Sequence, residues 1–142
     1  MRILLVVNHL DTARYISQQL EAVPQTSVGL ADGHAQALRM ACAGTDEIIL
    51  ISLNQSGEKS GVALVEELRR IGIVVPIIVF GDEAQVGTKT HVLDRGADAY
   101  VHMHYHYGLE LVSQINALVR RQRAYENAAS TEVPKVSLRV VG

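Results

Sequence analysis

Short apolar runs alternate along this chain with segments whose apolar residues recur at helical spacing. The runs at 3–7 (ILLVV), 47–53 (EIILISL) and 77–80 (IIVF) are the strongest. Strands that are buried on both faces have this pattern. Weaker strands are predicted at 26–31 and 99–102, and the first of these is polar enough to lie near the edge of a sheet.

A helix is predicted after each strand, from the spacing of apolar residues along one face. Asp11 is a suitable N-cap for the first helix, and Gly96 suits the left-handed conformation that ends the fourth. The predicted helices are, in chain order, 12–20, one that begins after Gly33, 61–70, 84–94 and 108–123.

Five strands and five helices in strict alternation indicate an α/β fold with a doubly wound parallel sheet. We expect this domain to occupy residues 1–123. Residues 124–142 are predicted to be a linker, because YENAASTEVPKV is polar and contains a proline. The final SLRVVG resumes an apolar pattern and is interpreted as the possible first strand of a missing C-terminal domain.

Composition limits the classes of function. The 142 residues suit one domain, and 48% are hydrophobic, which is enough for a sizeable core. The net charge of −2 gives no basic excess for nucleic acid or an anionic membrane. The first apolar run is too short for a signal peptide or a membrane span. Cys42 is the single cysteine, so no intrachain disulfide is possible and a cytoplasmic location is predicted; its thiol is expected to be buried.

In open parallel sheets, functional residues gather at the carboxyl ends of the strands. The turn after the first strand reads VNHLD and has no glycine that would let the backbone approach a phosphate. This argues against a dinucleotide or flavin site, and no cofactor is predicted. No nucleophile, base and orienting group can be assembled either, so the chain is not expected to be an enzyme.

Four stretches resemble the receiver domain of two-component response regulators, over residues 1–123: RILLVVNHLDTAR, TDEIILISLN followed by Gly61, VPIIVFGDEA, and RGADAYVHMHY. The resemblance implies a CheY-like (flavodoxin-like) fold. The segment INALVRRQRA is similar to OmpR-type regulators, whose receiver precedes a winged-helix DNA-binding domain. Within that group the third strong strand and RGADAY are similar to CtrA-like regulators.

Receivers use a set of polar residues for phosphorylation. The resemblance implies that other residues take their places in this chain. The family has an acidic pair for Mg²⁺, a phosphate-accepting aspartate, a hydroxyl residue, a lysine and a proline. In the same order, the matching residues are Asn8 and His9, Ser52, Gly81, Met103 and His104. Phosphoryl transfer needs a metal and a cation to neutralise the phosphoryl oxygens. We therefore expect a degenerate receiver that is not phosphorylated.

The same resemblance places the family's switch aromatic at Tyr100, which moves together with the hydroxyl residue in phosphorylated receivers. Because Gly81 has no hydroxyl, we expect Tyr100 to stay in one conformation that is active without phosphate. OmpR-type receivers pair through the fourth helix, fifth strand and fifth helix, which implies a homodimer. The residues that match this interface are Lys89, Val92, Leu93, Asp98, Glu110, Gln114 and Ala117.

A run of alternating histidines follows the fifth strand and leaves a second function open. His102, His104 and His106, with His9 on the same rim, are weak candidates for a zinc or pH-sensing site, and ordinary surface histidines are favoured. Two functions are therefore predicted. One is a transcription regulator's receiver, which would contact DNA only through a domain absent from this chain. The alternative is a stand-alone adaptor that binds a partner protein, metal or ligand through the histidine-rich rim.

Overall fold

The computed structural model describes residues 1–54, 60–83, 86–104 and 106–141, with side chains described as far as residue 128. The strands are β1 (Arg2–Val6), β2 (Ser27–Ala31), β3 (Ile48–Ser52), β4 (Ile77–Gly81) and β5 (Ala99–His102). The helices are α1 (Leu10–Leu20), α2 (His34–Cys42), α3 (Gly61–Arg70), α4 (Val86–Asp94) and α5 (Tyr107–Val141). One parallel sheet has the order β2-β1-β3-β4-β5, which confirms the predicted doubly wound fold and the position of β2 at an edge.

The sheet is covered on both faces because successive side chains of each central strand point in opposite directions. In β1, Leu4 and Val6 pack under α2 to α4, whereas Ile3 and Leu5 pack under α1 and α5. Ile3, Leu4, Leu5 and Val6 are all 0% exposed. Burial of both sets explains why the central strands are continuously apolar rather than alternating.

Helices α1 and α5 meet through an aromatic contact. The ring centroids of Tyr15 and Tyr107 lie 4.9 Å apart, and the Tyr15 hydroxyl accepts a hydrogen bond of 3.3 Å from the Gly108 N–H. Burial raises the pKa of Tyr107, and the neighbouring Tyr15 raises it further. These contacts fix where α5 begins, immediately beyond the carboxyl edge of the sheet.

Arg69, near the end of α3, joins three elements at the opposite edge of the sheet. Its guanidinium donates to the carbonyl oxygens of Gly96, Ile73 and Val75 at 2.8–2.9 Å, and to the Asp98 carboxylate at 2.9 Å. Gly96 has φ +119°, which confirms its prediction as a left-handed cap. A Cβ at Gly96 would lie 2.7 Å from Arg69 Cγ, so the glycine also makes room for the arginine. This packing explains the Arg-Gly-Ala-Asp stretch before β5.

Two local predictions were wrong. Helix α1 begins at Leu10 with His9 as its N-cap, rather than after Asp11, because the His9 ring accepts from the Thr12 N–H. Cys42 is exposed at the end of α2, where it was expected to be buried. Its neighbour Ala41 takes the inward position on that turn of the helix.

The segment that was predicted to be a linker is helical, because α5 is one helix from Tyr107 to Val141 and includes the SLRVV segment. Residues 120–132 are rich in arginine, glutamine, glutamate and alanine, which are good helix formers. The division into a domain at 1–123 and a further unit remains a prediction. Across the described residues, no helix has both the length and the apolar character that a membrane crossing requires.

Candidate functional site at the carboxyl edge of the sheet

Parallel register brings the residues that the sequence predicts to be a degenerate phosphorylation site to one edge. Val6 pairs with Ile51, Ser52 with Phe80, and Gly81 with His102. The loops that follow β1, β3, β4 and β5 therefore begin side by side. Asn8, His9, Ser52, Gly81 and Met103 all lie at or just beyond this edge, where a phosphoryl-accepting site would be built.

Ser52 closes β3 and is 6% exposed. Its Oγ donates a hydrogen bond of 3.1 Å to the backbone carbonyl of Asn54. A serine needs an adjacent base that removes its proton before it becomes a useful nucleophile. Here the hydroxyl proton points to a peptide carbonyl, which is not such a base.

Gly61 begins α3 directly against the end of β3. A Cβ at this position would lie 2.3 Å from the Ser52 carbonyl oxygen and 3.0 Å from Leu53 Cα. The Gly61 N–H donates to the Leu53 carbonyl at 3.0 Å. Only glycine permits this close approach of helix and strand, which explains its place after TDEIILISLN.

Asn54, Asp82 and His102 form a polar link across three neighbouring loops. Asn54 Nδ2 donates to Asp82 Oδ1 at 2.8 Å, and His102 Nε2 donates to the Asp82 carbonyl at 3.2 Å. Asp82 thus carries a carboxylate at this edge, but that carboxylate accepts a hydrogen bond from Asn54. The link was missed in the sequence, because no local pattern shows which loop residues face each other.

His9 follows β1 and caps the start of α1. Its Nδ1 lies 3.3 Å from the Thr12 nitrogen and 3.1 Å from Thr12 Oγ1. A ring nitrogen that accepts the first N–H groups of a helix stabilises the helix end. His9 therefore has a capping role in this structure.

Met103, which the resemblance matches to the family's lysine, has its side chain against the core. Its partly buried side chain packs against the core between the sheet, α1 and α5. Its N–H donates to the Gly81 carbonyl at 2.6 Å, which continues the β4–β5 ladder. The position supplies apolar packing and no positive charge.

Tyr100 lies over Gly81. A Cβ at Gly81 would be 2.9 Å from the Tyr100 hydroxyl oxygen and 2.8 Å from Leu53 Cβ, so the tyrosine occupies space that a larger residue would need. The hydroxyl donates to the Glu83 carbonyl at 2.7 Å. Burial raises the pKa of Tyr100, and the negative charge of Glu83 raises it further. The neutral hydroxyl is therefore favoured as a donor.

The histidines after β5 are only partly gathered. The ring centroids of His102 and His104 lie 5.8 Å apart, and His104 Nε2 lies 3.1 Å from a Glu110 oxygen. His106 adopts φ +70° in the turn before α5. Within the residues that the structure describes, no three histidine, cysteine, aspartate or glutamate side chains are close enough to hold a metal ion.

The predicted dimer residues fall into different environments. Val92 is 0% exposed in the core, so its prediction as part of a surface patch was wrong. Its neighbour Leu93 is half-buried, and Lys89 is exposed on the same helix. Asp98 and Glu110 have partners within the chain, because Asp98 accepts from Arg69 and Glu110 pairs with His104. The remaining two, Gln114 and Ala117, are half-buried on α5.

A cleft of about 620 Å³ lies between α3 and α4, next to the loop that follows β3. Leu53 and Val62 lie along its floor, and an ion pair of 3.2 Å between Glu66 and Arg95 crosses it. The cleft was not anticipated from the sequence, because it depends on how far apart two helices pack.

The fold and the carboxyl-edge site together define a doubly wound α/β domain with its candidate site at the carboxyl ends of the parallel strands. A sequence model described as the response regulator receiver domain matches residues 3–106. This match covers more than half of the chain, and the chain therefore belongs to the response regulator receiver family.

Two curated relatives are transcriptional regulatory proteins. CiaR of Streptococcus pneumoniae is 28% identical over 131 residues, which cover 92% of this chain and 57% of CiaR. DltR of Streptococcus agalactiae is 31% identical over 101 residues, which cover 71% of this chain and 44% of DltR. The chain thus spans about half the length of these relatives.

Solved receiver structures share the fold at low identity. The receiver domain of the Francisella response regulator 1452 matches with a TM-score of 0.78 at 21% identity, covering 85% of this chain and 98% of that one. A CheY-like receiver domain protein from Methanospirillum hungatei matches with a TM-score of 0.77 at 20% identity, covering 87% and 97%. These likenesses show the CheY-like architecture.

Proposed function

We propose that this chain is a non-phosphorylatable receiver of a two-component-type transcription regulator, and that it acts by phosphate-independent dimerisation. The observation that carries the proposal is the state of Ser52. Its hydroxyl is buried and donates to the Asn54 carbonyl, and the resemblance to the family matches this residue to the phosphate-accepting aspartate. The relatives that are named transcriptional regulatory proteins support the setting.

The charges around Ser52 support the same proposal. Mg²⁺ prefers carboxylate oxygens, and the two residues after β1 are Asn8 and His9. Met103 packs into the core and contributes no cation for the phosphoryl oxygens. A phosphoryl group on this chain would therefore lack both the metal ion and the cationic side chain that normally neutralise its oxygens.

The contact between Tyr100 and Gly81 supports a fixed conformation. Tyr100 is held inward by its hydrogen bond to the Glu83 carbonyl, and it fills the space beside Gly81. Because Gly81 has no hydroxyl, a phosphoryl group would have no side chain at residue 81 to bind and so could not change the position of Tyr100. The α4–β5–α5 face is then present in one form without a phosphodonor.

The proposed dimer face comprises α4, β5 and α5. Lys89 is exposed and available to a second copy, while Leu93 and Ala117 supply half-buried apolar surface. Glu110 would exchange its contact with His104 for Lys89 of the other copy. Each exposed ion pair contributes less than about 1 kcal/mol, so the apolar contacts must supply much of the association.

Phosphorylation is tested with acetyl phosphate and Mg²⁺, followed by intact mass measurement. We expect no added phosphoryl group, and beryllofluoride with Mg²⁺ should leave the amide spectrum unchanged. Saturable shifts of the Ser52 amide, or a phosphorylated mass, would contradict the proposal.

Dimerisation is tested by sedimentation velocity at micromolar concentration without a phosphodonor. We expect a dimer that Lys89→Glu weakens. Arg39→Glu is the matched control, because it makes the same charge change at an exposed position on α2 and should leave the dimer intact. A monomeric wild-type chain, or equal effects of both variants, would refute the proposed face.

The adaptor function is the second candidate, and one observation favours it. His102 and His104 present neighbouring rings beyond β5, on a rim that is open to a partner or ligand. A monomer that binds a partner through this rim, and loses that binding in a His102→Ala variant, would favour the adaptor over the dimeric regulator.

A further inference from the structure

Strand β2 is an outer strand of the sheet, and its hydrogen bonds show which of its residues face outward. The Ser27 N–H donates to the Met1 carbonyl at 2.8 Å, and the Ala31 carbonyl accepts from the Val7 N–H at 3.0 Å. Both contacts belong to the ladder with β1, because β2 is the first strand in the order β2-β1-β3-β4-β5. The backbone groups of residues 27 and 31 therefore face β1.

The alternate residues of β2 face the opposite way. Because the direction of the backbone groups alternates along a strand, Gly29 also faces β1, whereas the N–H and C=O groups of Val28 and Leu30 face away from the sheet. Among the described residues, none forms a hydrogen bond with these outward groups. A row of open donors and acceptors of this kind is a template for an added strand. We call the outward backbone of Val28 and Leu30 the β2 edge.

Apolar side chains lie beside the β2 edge. Leu30 is 45% exposed, and Leu10 at the start of α1 is 61% exposed. Both residues line a small cleft of about 130 Å³, together with Val7 and Ala13. A strand added at the β2 edge would therefore cover apolar surface as well as satisfy backbone groups, and burial of apolar surface favours association.

Strand β2 lacks the features that usually keep an outer strand from pairing. Native sheets protect such strands with charged side chains, prolines or bulges. The segment AVPQTSVGLA, residues 22–31, carries no charge, and its proline precedes the strand. Strand β2 follows β1 residue for residue from Ser27 to Ala31, without a bulge. The strand itself therefore offers no repulsion to a second strand.

The β2 edge is complementary to itself. In an antiparallel pair about a twofold axis beside Gly29, Val28 of one copy lies opposite Leu30 of the other. Opposite residues of this kind exchange both of their backbone hydrogen bonds, so every outward group on both copies gains a partner. Asp32 is the first charged residue after the strand and lies opposite Thr26 of the other copy, so the two acids do not meet.

We propose that two copies of this chain associate by antiparallel pairing of their β2 edges, which joins two five-stranded sheets into one. A second copy is the occupant because the twofold arrangement places Val28 opposite Leu30, apolar opposite apolar, on both sides of the axis. Strand β5 lies at the other end of the sheet order, so this contact is separate from the proposed α4–β5–α5 face. The inference does not rest on the proposed function.

The test is sedimentation velocity over a series of concentrations, with the Lys89→Glu variant as the background so that the α4–β5–α5 face is weakened. We expect a dimer that forms as the concentration rises. Leu30→Lys in this background should raise the dissociation constant at least tenfold, because lysine on an outer strand blocks strand addition. Val74→Lys is the matched control, since Val74 is an apolar residue that is 79% exposed between α3 and β4, and the change there should leave the dissociation constant unchanged. Circular dichroism verifies that both variants are folded.

Amide hydrogen exchange tests the same contact in the wild-type chain. The amides of Val28 and Leu30 should become more protected as the concentration rises. The amides of Gly29 and Ala31 should be protected at every concentration, because they face β1. This alternation from residue to residue distinguishes strand pairing from a general change in stability.

Four results would overturn the pairing. They are a Lys89→Glu variant that stays monomeric at every concentration, equal effects of Leu30→Lys and Val74→Lys, exchange at Val28 and Leu30 that does not depend on concentration, and protection of these two amides only when another polypeptide is present. The last result would identify a different occupant of the β2 edge.

Discussion

The contact between Gly81 and Tyr100 gives the most direct test of the proposal that this receiver keeps one conformation. In Gly81→Ala, the new methyl would lie 2.8 Å from Leu53 Cβ, 2.9 Å from the Tyr100 hydroxyl oxygen and 3.0 Å from Leu53 Cδ2. Unstrained contacts of this kind lie at about 3.5–4.0 Å, so the neighbours must move by roughly half an ångström or more.

The expected cost follows from two opposing terms. Overpacking a well-packed site costs about 1–3 kcal/mol. Replacing glycine by alanine also restricts the unfolded chain, which returns about 0.4–1 kcal/mol. We therefore expect Gly81→Ala to lower the free energy of unfolding by about 1–2 kcal/mol. Urea denaturation followed by circular dichroism measures this quantity.

A double-mutant cycle isolates the role of the tyrosine. Tyr100→Phe removes the hydrogen bond to Glu83 and should cost about 0.5–1.5 kcal/mol by itself. In the Gly81→Ala variant the new methyl group already displaces the Tyr100 hydroxyl. Tyr100→Phe should therefore lower the free energy of unfolding by about 0.5–1 kcal/mol less there than in the wild-type chain. Additivity within about 0.3 kcal/mol would show that the hydroxyl does not occupy this space.

Gly87→Ala on α4 is the matched control, because a Cβ there meets nothing within 4 Å. An alanine in this helix should stabilise the protein by up to about 1 kcal/mol. If Gly81→Ala were as well tolerated as Gly87→Ala, the packing between β4 and Tyr100 would have to be looser than the structure indicates.

Three further predictions concern stability. Arg69→Met should lower the free energy of unfolding by about 2–4 kcal/mol, because four hydrogen bonds are lost. Arg95→Met breaks one exposed ion pair and should lower it by under about 1 kcal/mol in the same urea assay, and equal effects of the two variants would contradict this prediction. Gly61→Ala should lower the free energy of unfolding by about 3 kcal/mol or more, since its Cβ would meet a backbone carbonyl at 2.3 Å. A melting temperature only a degree or two below that of the wild type would refute this prediction. Burial raises the pKa of Tyr100 and Tyr107 above the ordinary 10.0, so these tyrosines ionise at lower pH in the unfolded chain than in the folded one. Their contribution to the free energy of unfolding is therefore fully present below pH 10 and is lost as the pH rises further. Tyr100→Phe should make this loss smaller when unfolding is measured as a function of pH.

The sequence alone determined the architecture because each strand and helix has a local signature. Continuous apolar runs such as ILLVV require burial on both faces of a sheet, and the helices between them require parallel crossovers. Gly96 was recognised as a helix cap because its position demands a positive φ. The proposal that Ser52 replaces a phosphate-accepting carboxylate also came from the sequence alone, because it depends on residue type and not on geometry.

The tertiary structure decided which side chains meet. Val92 and Leu93 are adjacent apolar residues on α4, and only packing on the sheet shows that the first is in the core. Tyr100 came to lie over Gly81 because β4 and β5 pair side by side in the sheet. The cap formed by His9 on Thr12 is a local contact that the sequence analysis had assigned to Asp11 instead. Apolar periodicity reports how one element faces the core, whereas a site depends on distances between several elements. For that reason the sequence predicted the fold, and only the folded chain revealed how His102, Asp82 and Asn54 are joined.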